Sequence, residues 1–353
     1  MIYLPSLFVT ALCALLILRW QSFIEPLTER RADHLAIQSS HYGEPLRFGG
    51  VAVLLGLVIG TLLLTFQTDA HDTPLLLLSA LPVMIAGLAE DMGHRVSPRG
   101  RLIAAMLSAL AAIVMLQIWV ARADLTGLDF ALSFPAVAII GTVLFSAGFC
   151  HSVNLIDGMN GFSTVSVISS ASGIALIAAH AGQAEIATFS MLLVACLAGF
   201  LAMNWPTARM FLGDAGAYGV GHLLVWLGIL LAWKSDSVAI PALLLVLFWP
   251  IVDVFHTIFR RLMLRNSPFQ PDKMHLHHKV RRALDLMVFG YNQRAKSNPA
   301  TIVVLFPFMV MPIATGVLLQ SNPTAGWIAF IAYSLAFAGA HKIATRIAIK
   351  WRK

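Results

Sequence analysis

A chain of 353 residues that is 58% hydrophobic and 12% charged, with a mean hydropathy of +0.80, has more apolar surface than one water-soluble core can bury, and it belongs in a bilayer. The formal net charge of +7 does not point to nucleic acid, because a polytopic membrane protein retains lysine and arginine on its cytoplasmic side. Cys13, Cys150 and Cys196 lie in or beside apolar runs without paired or metal-ligand spacing, so they read as small core hydrophobes.

A hydrocarbon layer about 30 Å thick is crossed by roughly 20 apolar helical residues. By that measure the sequence predicts an all-α polytopic membrane protein, a single domain over 1–353, with about eleven transmembrane helices. They fall near residues 3–20, 48–66, 74–88, 101–120, 133–150, 163–180, 185–203, 215–233, 239–257, 300–320 and 325–346. The first has no basic segment ahead of it and no small-residue cleavage site after it, which predicts an uncleaved span. Ser97-Pro98 marks the start of the fourth, serine as cap and proline at the first helical position.

With eleven spans the loops alternate sides. The stretches 19–47, 89–101, 151–162, 204–214, 256–299 and the C-terminal tail hold 22 of the 24 Lys and Arg residues. The other side keeps Arg122 and Lys234, so the N-terminus is expected outside and the C-terminus inside. No internal repeat or low-complexity segment is visible. The largest non-membrane piece is the loop 258–299, expected to be cytoplasmic. It carries a His-x-His-His motif, and then Val280, Leu284, Met287, Val288 and Tyr291 at helical spacing among Lys279, Arg281 and Arg282. That pattern predicts an interfacial amphipathic helix.

The polar motifs all fall on the basic side. Asp214, between Gly213 and Ala215-Gly216, suits either a helix N-cap or a metal site where glycines let a diphosphate approach the backbone. Asp157-Gly158 reads as a turn or as a second acid of the same site, and Glu90-Asp91 as a solvated helix end or as further acids. Four carboxylates on one face favour a shared site, and hard oxygen ligands suit Mg²⁺ or Mn²⁺. His275, His277 and His278, with Lys273, follow the proline-punctuated run Ser267 to Met274. They suit phosphate oxygens better than zinc, for which no fourth ligand stands nearby.

In this order the motifs resemble the polyprenyl-phosphate N-acetylhexosamine-1-phosphate transferases, polytopic phosphoglycosyltransferases of glycosyltransferase family 4. The resemblance runs from about Pro45 to Lys279. Pro45-Leu46-Arg47-Phe48-Gly49-Gly50 is similar to the family's proline and double-glycine signature. Glu90-Asp91 takes the place of its paired aspartates, and Asn154 to Gly161 that of its Asn-x-x-Asp-Gly-x-Asp-Gly segment. Asn204-Trp205-Pro206 to Gly213-Asp214-Ala215-Gly216 and His275-Leu276-His277-His278 complete the set. Glu90 and Asn160 each replace a usual aspartate. The histidine loop lacks the form found in the muramoyl-pentapeptide transferases, which favours an O-antigen or common-antigen type.

The resemblance implies transfer of an amino-sugar 1-phosphate from a UDP-amino sugar to undecaprenyl or another polyprenyl phosphate, with release of UMP. It also implies a site on the cytoplasmic face of the bacterial inner membrane. By position, Asp214 would hold Mg²⁺ (or Mn²⁺), and Glu90, Asp91 and Asp157 would be catalytic acids. Asn154, Asn160, Asn204, Phe211, His275, His277 and His278 would bind nucleotide, diphosphate or sugar, and Arg47 the lipid phosphate. The expected partners are the UDP-amino sugar, the polyprenyl phosphate and the lipid bilayer, with a homodimer allowed and nucleic acid excluded. Two other readings differ in kind. A secondary transporter would place its acids near the midplane and show inverted repeats, whereas these acids sit at one rim. An inactive relative of the same fold rests on Glu90 and Asn160 alone.

Overall fold

The computed structural model describes residues 2–24, 45–263, 265, 274–290 and 293–350. Regular structure among the described residues is helical: α1 (Tyr3–Arg19), α2 (Gly49–Gln67), α3 (Asp72–Asp91), α4 (Pro98–Leu116), α5 (Pro135–Leu155), α6 (Phe162–His180), α7 (Ala184–Asn204), α8 (Gly213–Lys234), α9 (Ile240–Val246), α10 (Phe248–Met263), α11 (Leu276–Leu284), α12 (Arg294–Leu318) and α13 (Pro323–Lys350). α4 starts where expected: Ser97 accepts a hydrogen bond from the Gly100 amide at 3.1 Å and Pro98 follows it.

Among the described residues nine helices, α2 to α8 with α12 and α13, are long and apolar enough to cross a membrane. The protein is an all-α polytopic membrane protein. Two of the eleven expected spans differ in form. α1 is apolar but only 17 residues long. The stretch expected as one span over 239–257 is broken, with α9 and α10 bent by 85°. Pro250 explains the break. Lacking an amide hydrogen, it cannot continue the ladder back to the Val246 carbonyl, and that carbonyl instead accepts the Ser170 hydroxyl at 2.7 Å. In an apolar surround a neighbouring serine commonly meets the need that a broken helix creates.

The expected loop 258–299 is largely helical as well. α10 runs on to Met263, and α11 is followed by a wider five-residue turn, Asp285–Phe289, before α12 opens at Arg294. Met287 and Val288 are exposed, as an interfacial stripe requires. Ser267 to Lys273 and Tyr291 lie outside the described residues.

α8 is the pillar of the bundle. Of its span window 94% is buried, against 17% for α13, and it is apolar or small on every side, as a helix with no lipid face should be. Close approach at its start depends on glycine: a Cβ on Gly50 of α2 would lie 2.3 Å from the Gly216 nitrogen and 2.4 Å from its Cα. The two backbones touch, and the neighbouring Gly49 and Gly50 amides donate to the carbonyls of Phe211 and Leu212 at 3.0 and 2.8 Å.

The end of the bundle at the C-terminus of α8 is closed by its own groups. Lys234 pairs with Asp72, and Glu185 accepts from the Asp72 amide and from both amide and hydroxyl of Thr73. Arg122 bonds Asp124 at 2.6 Å and the carbonyls of Ser235 and Val238 at 3.2 and 2.8 Å. An apolar cavity of about 490 Å³, lined by residues such as Trp119, Phe145, Ile229 and Trp327, opens here and contains none of the candidate residues.

Gly50→Ala should therefore lower the thermal midpoint of the detergent-solubilised protein, by the ~1–3 kcal/mol typical of overpacking. Gly148→Ala, where an added Cβ meets nothing within 4 Å, should leave it near the wild-type value. Tryptophan fluorescence melts on matched preparations check both.

Candidate active site

The opposite end, where α8 begins, gathers the motifs. A helix start leaves amides without partners, and Leu212, the residue before α8, supplies no side-chain cap. The cap comes from another helix. Asp91, the last residue of α3, accepts the Asp214 amide on one carboxylate oxygen and the Ala215 amide on the other, both at 2.9 Å. Gly87, one turn earlier, makes this reach possible, since a Cβ there would lie 2.5 Å from the Ala215 nitrogen. Hydrogen bonds to a charged group contribute about 1.5–3 kcal/mol, and the carboxylate also meets the positive end of the helix dipole.

With its backbone amide held by Asp91, the Asp214 side chain is free of the capping role that sequence alone left open. One oxygen pairs with Arg101, and the other accepts the Asn154 amide at 3.1 Å. Glu90 lies 3.9 Å from the same guanidinium nitrogen. Glu90, Asp91 and Asp214 are all buried. Two acids, one from α3 and one from α8, thus meet around one arginine of α4, with an amide from α5.

Arg101 was not singled out by sequence reasoning. The available signal was a cation in the first turn of a helix, where the dipole disfavours it unless anions hold it. One turn along α8, the Tyr218 hydroxyl lies 3.3 Å from His151 Nδ1, a second pair that no motif announced.

Asp157 sits in the turn between α5 and α6, bonded by the Ser163 hydroxyl. Desolvation pushes its carboxyl up to about 7; Ser163 and the Arg47 guanidinium oppose the rise, the charge of Asp214 adds to it, and the Gly213 amide opposes it. Arg47 is thereby placed beside this turn. The two asparagines are tied into the fold. Asn160 takes the Asn298 side-chain oxygen on its backbone amide at 3.0 Å and gives its side-chain NH₂ to the Pro206 carbonyl at 2.7 Å. Asn204 is fully buried, its oxygen accepting from Thr164 at 3.1 Å and its nitrogen donating to the Met210 carbonyl at 2.8 Å. It is a strut under the strand-like Met210–Phe211 segment rather than a pocket lining. Phe211 is buried, and its amide donates to the Leu46 carbonyl at 2.8 Å.

The histidine motif forms a second group that adjoins this turn through Phe162, whose ring centroid is 4.9 Å from that of His277. His275 Nδ1 lies 2.8 Å from Asp253 Oδ2. The rings of His275 and His277 stack at 5.5 Å, and His277 and His278 meet at 4.2 Å. Burial pushes His277 well below the ordinary histidine range, and His278 adds to this. Behind the motif, Lys279 donates to His341 Nδ1 at 3.0 Å and to Thr345 at 2.6 Å, both on α13, while His341 Nε2 donates to the Met274 carbonyl. Asp253 is a further residue that sequence reasoning passed over, although a lone acid in an apolar stretch is itself a functional signal.

Among the described residues no three His, Cys, Asp or Glu side chains come together as a metal-binding cluster. Asp214 and Glu90 are hard oxygen ligands of the kind that Mg²⁺ takes, one or two carboxylates at a time, alongside substrate phosphates and water.

Comparison with known proteins agrees with this arrangement. Residues 73–232, which include Glu90, Asp91, Arg101, Asn154, Asp157 and Asp214, match the family model "Glycosyl transferase family 4". The chain is 29% identical over 256 residues to a Bacillus subtilis protein named "probable undecaprenyl-phosphate N-acetylglucosaminyl 1-phosphate transferase", covering 70% of this chain and 67% of the relative. It is 24% identical over 327 residues to the undecaprenyl-phosphate alpha-N-acetylglucosaminyl 1-phosphate transferase of Salmonella typhi, covering 86% and 81%. It is 27% identical over 262 residues to the decaprenyl-phosphate N-acetylglucosaminephosphotransferase of Mycobacterium tuberculosis, covering 66% of this chain and 65% of that one. In its motifs, its helical bundle and this matched core, the chain is similar to the transferases of glycosyl transferase family 4.

Proposed function

We propose that the protein transfers an N-acetylated amino-sugar 1-phosphate, N-acetylglucosamine 1-phosphate in the first instance, from its UDP-sugar to undecaprenyl phosphate. UMP leaves, and the lipid diphosphate sugar that starts an O-antigen or related envelope polysaccharide is formed. The observation that carries this reading is the meeting of Asp214, Glu90, Arg101 and Asn154 at the start of α8.

The chemical problem is anion against anion, so charge neutralisation and positioning dominate. Asp214 with Glu90 would hold Mg²⁺ (or Mn²⁺), which when bound neutralises the diphosphate and improves the leaving nucleotide. Arg101 and Arg47 add fixed positive charge at the same rim, and the N-terminus of α8 favours phosphate. Asp91 keeps that N-terminus in register with α3. Asn154, Asn160, Asp157 and Phe211 border the nucleotide, with Asn204 holding Phe211 from below. The histidine motif, His275 to His278, serves the diphosphate or sugar, and Arg47 the lipid phosphate. The site faces the cytoplasm of the inner membrane, a placement supported by 22 of the 24 basic residues lying on that side.

The function is tested by offering purified protein a panel of UDP-amino sugars with undecaprenyl phosphate and weighing the lipid product. No lipid diphosphate sugar from any donor would overturn it. In that assay Asp214→Ser should lower Mg²⁺-dependent UMP release by at least about a hundredfold, the scale of losing a main charge stabiliser, while the protein stays folded. Because Asp91 supplies the cap, no helix-capping loss should accompany it.

A carboxyl held near 7 is largely protonated below neutrality. UMP release should rise as pH passes through 7 if the Asp157 carboxylate is the working form, and Asp157→Asn should flatten that limb. A raised acid also binds its proton more tightly folded than unfolded, so its contribution makes the protein less stable as pH climbs from about 4 to about 7. Melts of Asp157→Asn should lose that slope.

Sidedness is checked by single cysteines in intact cells. Ser237→Cys should react with an impermeant maleimide from outside and Arg282→Cys only after lysis, and the reverse pattern would invert the orientation.

A further inference from the structure

The histidine motif has a partner outside itself. Asp253 sits one turn beyond the α9–α10 break on α10 and is 1% exposed. Its Oδ2 lies 2.8 Å from His275 Nδ1, and Thr257, one turn further on, brings its hydroxyl to 3.4 Å from the same nitrogen. The Leu276 backbone amide also faces the Asp253 carboxylate. His275 is the residue just before α11 and offers no side-chain cap to it. One buried carboxylate therefore orients the imidazole and stands at the N-terminus of the helix that carries the motif.

The three histidines are not equivalent in these surroundings. His275 has a carboxylate on Nδ1. His277 is fully buried, packed on Phe162, and neither of its ring nitrogens has a hydrogen-bond partner among the described residues. An unpaired charge in such a place is costly, so that ring stays neutral. An imidazole whose Nδ1 is held by a buried carboxylate is instead favoured as a cation, with Nε2 left to carry the second N–H.

We propose that Asp253 is the positioning residue of the histidine motif, fixing His275 through Nδ1 so that His275 is the cationic member of the motif while His277 serves as a neutral packing ring. This deepens the transferase reading above and rests on it. Among the described residues, the other charged or titratable groups around the pair are basic: His256 and Arg260 on α10, His277, His278 and Lys279 on α11, and His341 on α13. Asp253 is the acid set among them. Removing its charge while keeping its shape should therefore make His275 easier to deprotonate.

The test uses full-length protein in detergent with ¹³C-labelled histidine side chains, the His275 signal being assigned by its loss in His275→Gln. In the wild type His275 should titrate at higher pH than His277 and His278. In Asp253→Asn its midpoint should fall by at least about one pH unit, the usual effect of losing an adjacent opposite charge. The alkaline limb of kcat/KM for UMP release should fall with it, so that Asp253→Asn loses about tenfold at pH 8 and less at pH 6. Adding Asp253→Asn to His275→Gln should cost nothing further, as for two residues that act as one unit. A merely structural carboxylate would lower activity equally at every pH and multiply with His275→Gln, and either result overturns the proposal. If Asp253→Asn does not fold, the wild-type spectra decide alone, because His277 or His278 titrating above His275 also overturns it. A shifted His275 midpoint in a protein that makes no lipid diphosphate sugar overturns the transferase reading on which the proposal rests. Normal transfer with an unshifted midpoint overturns only the role of Asp253.

Discussion

Everything at the reactive end of this bundle depends on the Asp91 carboxylate accepting the first two amides of α8. A buried helix start without partners would be costly, and no side chain local to α8 can supply them. Drawing the cap from α3 couples two elements that would otherwise only pack. It sets the register in which Glu90 of α3 and Asp214 of α8 come to face Arg101 of α4. It also leaves Asp214 with a side chain not spent on its own helix. Glycines at 50, 87 and 216 belong to the same arrangement, because main chain must approach main chain for the acids to converge.

The same device appears a second time in a different place. Asp253 of α10 faces the start of α11 as Asp91 faces that of α8, and in each case the helix so approached bears the residues of interest. Pro250 breaks the path from α9, Ser170 takes up the carbonyl that is released, and the turned helix carries Asp253 to His275. A break that costs a backbone hydrogen bond thereby places an acid where a straight span would have pointed it elsewhere.

Much of the architecture was legible in one dimension. Hydropathy over windows of span length located the apolar helices, because burial in lipid acts on each segment almost independently. The polar motifs were legible because acids, asparagines and glycines are conspicuous at the ends of apolar runs. What escaped was pairing between distant segments. Arg101 looked like one more basic residue on the basic side, and nothing in Ser97 to Leu102 announces that Asp214 will be its partner. Asp253 was hidden inside an apolar run. Asn204 and Asn160 were recognised as motif residues, but an asparagine that braces a loop and one that lines a pocket have the same letter; only their partners, Thr164 and Met210 or Asn298 and Pro206, distinguish them. The 85° turn at Leu247 was missed because a 19-residue apolar stretch with Pro250 in its middle reads as a kinked span until the two axes are seen.

The bond from Lys279 to His341 and Thr345 makes α13 more than the last helix of the chain. With 17% of its spanning stretch buried, α13 is the least embedded of the nine long helices among the described residues. Helices of that kind answer bilayer thickness by tilting, at fractions of a kcal/mol per ångström. Its far end is tethered to the helix that bears His275, His277 and His278. The outermost long helix of the bundle is thus tied directly to the histidine motif, so that whatever sets its tilt acts on the histidines as well.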